Sequence, residues 1–83
     1  MDKNEIMSRL TKVFIQVLGQ EDLVLTPATT ADHVEGWDSF NHVNIIVGAE
    51  AEFGVKFNVA ELESLRNVGD LAGLVERRLA AKK

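Results

Sequence analysis

The chain has 83 residues, a formal net charge of −4 and no cysteine. One small core is all that such a length supports, so a deep catalytic pocket of its own is not expected, and any chemistry would be borrowed from a partner or a prosthetic group. An acidic chain without clustered Lys and Arg makes a poor nucleic-acid ligand, the missing cysteines rule out disulfides, thiolate metal sites and a protein thiol nucleophile, and no segment is long and apolar enough to insert in a membrane.

No apolar run follows Met1-Asp2-Lys3-Asn4, so no signal peptide is expected; a free-standing, cytoplasmic protein is. The first helix is expected from residue 3 to 18. Ile6, Leu10, Val13, Phe14, Val17 and Leu18 recur at steps of three and four and form one apolar stripe. Asp2 and Glu5 have the spacing of a capping box, and Gly19 is a natural stop. Residues 19–37 lack helical period and make a long connection, with Leu23, Val24, Leu25, Val34 and Trp37 expected to tuck it against the helices.

The second helix is expected from Asp38 or Ser39 to Phe53-Gly54, with Asp38 as a good N-cap residue. Its apolar residues, from Phe40 to Phe53, cover more than one stripe, so it either lies at the centre or shows apolar surface to partners. Gly48 inside it costs about 1 kcal/mol relative to alanine, and close helix packing is the common reason for keeping such a residue. A short third helix is expected over 59–65, from the Asn58/Glu61 capping box and the Phe57/Leu62 staple. The last helix is expected over 68–80, capped by Asn67 and burying Val68, Leu71, Ala72, Val75 and Leu79; Arg77, Arg78, Lys82 and Lys83 complement its C-terminal dipole. The fold class is all-α: a small four-helix bundle with a long loop between the first and second helices and a short third helix.

The segment with chemical potential is Gly36-Trp37-Asp38-Ser39-Phe40. A serine in the first helical turn sits beside N–H groups that lack intrahelical partners, at the dipole end that favours negative charge. A phosphate ester on Ser39 would occupy a site suited to an anion. By itself, Asp-Ser before a helix marks only a helix start.

The wider pattern resembles the acyl carrier protein family, including its peptidyl and aminoacyl carriers, over nearly the whole chain. Asp38-Ser39-Phe40 and the helix end Glu50-Ala51-Glu52-Phe53-Gly54-Val55 carry the resemblance most specifically, with weaker support from Asn67-Val68-Gly69-Asp70-Leu71. It implies that residues 1–83 form one carrier domain, that phosphopantetheine from coenzyme A is attached to Ser39, and that Asp38 is recognised by the modifying transferase. It also implies that Phe40, in the place of the motif leucine, contacts partners, as do Val47 and Glu50. An acyl cleft would lie among Ile45, Ile46, Ala49, Phe53, Phe57, Leu62, Leu65 and Leu71, which also read as the core of the bundle. Ala49, smaller than the leucine common there, leaves room for bulky or long cargo. The implied partners are a phosphopantetheinyl transferase and acyl-loading, acyl-transfer or condensing enzymes of fatty acid or specialised lipid and polyketide synthesis, acting on a monomer.

One departure stands out. Asn41, His42 and Asn44 occupy the turns of the second helix where fatty-acid carriers are rich in carboxylates, and acidic residues return only at Glu50 and Glu52. Partners different from those of a housekeeping carrier are therefore expected. Two other classes compete. A Ser39/His42 nucleophile and base, three apart on a helix, lacks an evident oxyanion hole and an orienting carboxylate. An unmodified interaction module would dock through Phe40 and Val47. An aminoacyl or peptidyl carrier is the alternative within the family.

Overall fold

A computed structural model describes residues 2–81; Met1 and the expected C-terminal charges Lys82 and Lys83 lie outside the described residues. Helix α1 spans Lys3–Leu18, and its Asp2 cap accepts the Glu5 amide at 2.8 Å. Gly19 closes it in the left-handed region, φ 70°, where a side chain would be strained. Helix α2 spans Ser39–Phe53, helix α3 Val59–Glu63 and helix α4 Val68–Ala81.

The core is built by α1, α2 and α4. Ile6, Leu10 and Phe14 meet Ile45, Ala49, Val68 and Val75, all sealed from solvent. The firm helix contacts are α1 on α2 and α1 on α4. Gly48 explains the closeness of the first pair: a Cβ there would lie 2.8 Å from Val13 Cγ1. Leu74 joins the buried face of α4, a residue that the expected stripe leaves out.

α3 is shorter than the expected 59–65, because Ser64 folds back and its hydroxyl donates to the Glu61 carbonyl at 2.8 Å. The Asn58/Glu61 capping box is formed reciprocally. Arg78 of α4 forms an ion pair with Glu61, which ties α3 to the bundle.

The long loop is ordered by its own polar groups. The Thr26 amide donates to Thr29 Oγ1, and a single turn of 3₁₀ helix, Ala31–His33, begins at Thr30. The loop also caps α4: the amides of Val68 and Gly69 donate to the carbonyls of Thr29 and Pro27 at 2.9 and 2.8 Å. Two donors that a helix start leaves unpaired are thereby satisfied from far upstream. Leu23 and Leu25 pack on the core and Val34 is buried, as expected. Val24 is not: it is 79% exposed, since its neighbours take the inward positions.

Candidate functional site at the head of helix α2

Asp38 fixes where α2 begins. Its backbone is extended and its carboxylate accepts the Asn41 amide at 2.8 Å. Asn41 in turn donates its side-chain N–H to the Gly36 carbonyl at 2.7 Å, which binds the approach loop to the first helical turn. Ser39 is thus the first residue of a firmly started helix. It is exposed, and no hydrogen bond among the described residues engages its hydroxyl.

Beside Ser39 opens a cleft of about 380 Å³. It is lined by Trp37, Asp38, Ser39 and His42 at the head of α2, by Ala31 from the loop, and by Leu65, Arg66, Asn67 and Leu71 from the approach to α4 and its first turn. Trp37 is half-buried: its ring meets Phe14 edge-on at 4.9 Å and 87° and stacks on His42 at 6.0 Å and 22°. The indole Nε1 donates to His42 Nδ1 at 3.1 Å. Burial holds the His42 pKa below its usual 6.5.

This arrangement does not make a nucleophile. The lone pair on His42 Nδ1 is taken by the Trp37 N–H, which leaves the neutral ring's proton on Nε2 and no free lone pair to accept the Ser39 proton. The Asp38 carboxylate caps the helix instead of orienting the ring.

The outward face of α2 presents Phe40, Val43 and Val47, 76%, 60% and 57% exposed. The two possibilities left open for this apolar helix are both realised, one on each side, since Ile45, Ile46, Ala49 and Phe53 are buried on the other. Glu50 stands apart from the exposed stripe. It is half-buried, and its carboxylate accepts the Phe57 amide at 2.9 Å, holding the entry to α3. Of the residues expected to line an acyl cleft, Ile45, Ile46, Ala49, Phe53 and Leu71 are core, while Phe57, Leu62 and Leu65 are half-buried against it. Only Leu65 and Leu71 also face the open cleft.

A family model described as the phosphopantetheine attachment site matches residues 8–75. The chain belongs to the acyl carrier protein family. It is 31% identical over 77 residues to the acyl carrier protein of Thermotoga maritima, spanning 93% of this chain and 95% of that one. The solution structure of a holo acyl carrier protein from Geobacter metallireducens superposes with a TM-score of 0.87 at 44% identity, covering 93% of this chain and 88% of that one. Acyl carrier proteins are carriers rather than enzymes, and their cofactor is a covalently attached phosphopantetheine.

The residues at the head of α2 fit that group. The Ser39 hydroxyl is open to an incoming enzyme, and the helix start favours the charge of a phosphodiester. The cleft alongside pairs apolar walls with a few polar groups, as an amide-containing chain requires.

Three features of the site escape a reading of the sequence: the Trp37–His42 hydrogen bond, the place of Ala31 in the lining, and that of Arg66 and Asn67. The last two depend on segments brought together only by the folded loop, whereas the first is local to the head of α2. The one available signal was Trp37 placed five residues before His42 at a helix start.

Proposed function

We propose that the chain, as one carrier domain over its whole length, bears phosphopantetheine on Ser39 Oγ and presents thioester-linked acyl groups to the enzymes of fatty acid or related lipid and polyketide synthesis. The observation that carries this reading is an exposed, unengaged serine hydroxyl at the first residue of a capped helix. When bound, the arm supplies the thiol that a chain without cysteine lacks.

The chain's own residues supply the rest. Asp38 holds the helix start and offers a charge for the modifying transferase to recognise. Phe40, Val43 and Val47 are the docking stripe: they stand exposed on the helix that carries Ser39, so a partner bound there is close to the cargo. Asn41 and Asn44 flank that stripe with neutral polar groups, which supports partners that read shape and apolar contact more than carboxylates.

The cargo enters between α2 and α3. Leu65 and Leu71 line the open cleft and also belong to the apolar cluster that holds Ile45, Ile46, Ala49 and Phe53, which supports a path from the cleft to that inner set. The short α3 is tied to the bundle by the Arg78–Glu61 and Glu50–Phe57 contacts, so admitting a long chain on that side means displacing them. The protein acts in the cytoplasm as a monomer.

Intact mass after incubation with coenzyme A, magnesium and a broad-specificity phosphopantetheinyl transferase tests the reading. The native chain should gain one phosphopantetheine and Ser39→Ala none. No gain by the folded native protein with several transferases would leave an unmodified interaction module, docking through the same stripe.

A further inference from the structure

The contact between Trp37 and His42 has a chemical consequence. An indole N–H only donates, so His42 Nδ1, 3.1 Å from it, must be the lone-pair nitrogen. A neutral imidazole in this place therefore carries its proton on Nε2, the one ring N–H left for the cleft that His42 lines. Among the described residues His42 forms its one ring hydrogen bond through Nδ1, and no acceptor is paired with Nε2. His42 lies three residues after Ser39, one turn along the same helix face.

We propose that His42 is a positioning residue for the arm: Trp37 fixes its imidazole as the Nε2–H tautomer, which donates a hydrogen bond to an amide carbonyl of the group carried on Ser39. The inference rests on the carrier reading. A carbonyl is the acceptor that suits a neutral donor between apolar walls. A phosphodiester oxygen would draw a second proton onto the ring, and a proton on Nδ1 would oppose the indole N–H. Arg66 and Asp38 bring one charge of each sign to the lining, and neither forms an ion pair with the ring. Burial of the ring keeps it neutral at physiological pH.

The test is NMR on the full-length protein, first unmodified and then loaded with a carbon-13-labelled arm, beside Trp37→Phe, His42→Phe and His42→Gln. Intact mass verifies loading in each sample. In the unmodified protein, nitrogen-15 spectra at neutral pH should show His42 protonated on Nε2 only, with mixed tautomers in Trp37→Phe. Loading should slow solvent exchange of that Nε2 proton about two- to tenfold, the factor expected of one hydrogen bond. It should also shift one arm carbonyl. That shift should vanish in His42→Phe and persist in His42→Gln, whose amide can accept from Trp37 and donate to the arm.

A proton on Nδ1, an arm spectrum identical in the native protein and His42→Phe, or a phosphorus-31 resonance that responds while the carbonyls do not would each overturn the inference. Failure of the native protein to gain mass would overturn the carrier reading and this inference with it. A gain in mass with arm signals indifferent to His42 would overturn the inference alone.

Discussion

Gly48 offers a sharp test of the packing that sets α2, and with it Ser39, on α1. An alanine Cβ at this position would fall 2.8 Å from Val13 Cγ1, well inside contact distance. Val13 is 4% exposed and β-branched, so its methyl group has no free rotamer into which to retreat. Overpacking of this kind costs about 1–3 kcal/mol, while alanine gains about 1 kcal/mol in helix propensity over glycine. Gly48→Ala should therefore destabilise the protein by about 1 kcal/mol net. With Val13→Ala already in place the obstructing methyl is gone and only the propensity gain remains, so Gly48→Ala should then stabilise by up to about 1 kcal/mol. At a urea dependence of about 1 kcal/mol per molar for a small domain, the unfolding midpoint falls by about 1 M in the first case and rises by a similar amount in the second. Equal signs in the two backgrounds would refute the close contact as the reason for glycine.

Other outcomes follow from the site. Asp38→Ala removes the N-cap and should cost about 1 kcal/mol in thermal or urea unfolding; Asp38→Asn should keep most of that stability yet load more slowly with the transferase if the charge is what the enzyme reads. Because the folded His42 pKa is lowered, the unfolded chain binds the proton first as pH falls. The stability due to a neutral His42 is thus complete above its ordinary 6.5 and declines as pH drops through that value, and urea titrations at pH 7 and 5.5 should show a decline that His42→Gln lessens. Glu61, held below its ordinary 4.5 first by its hydrogen bond from Arg78 and then by that from the Asn58 amide, adds a separate loss only on further acidification, which Arg78→Ala should lessen. Ala49→Leu fills a fully buried position, so it should slow transfer of long acyl cargo more than short; equal rates would remove Ala49 as a determinant of chain length.

Much of the helical frame was legible because its signals are local. Asp2, Asp38, Asn58 and Asn67 each precede a helix and each accepts the amide three residues on. The apolar stripe of α1 reads directly as the buried Ile6, Leu10, Val13 and Phe14. The loop was less legible. The turn of 3₁₀ helix at Ala31–His33 rests on local bonds to Thr30, the outward Val24 on the inward packing of Leu23 and Leu25, and the loop's seat on the carbonyls of Pro27 and Thr29 aimed at α4, contacts that span about forty residues of chain. At the site, Asp38 and Ser39 could be singled out from their place at a helix start. The cleft could not, because Ala31, Trp37 and residues 65–67 share no period and meet only after the loop has closed.

Trp37 is the only tryptophan of a chain that has no tyrosine. The ultraviolet emission of this protein therefore comes from one indole, stacked on one imidazole at the mouth of one cleft. Without any dye or label, the colour and lifetime of that emission would follow what happens next to Ser39, in real time and in the presence of tryptophan-free partners.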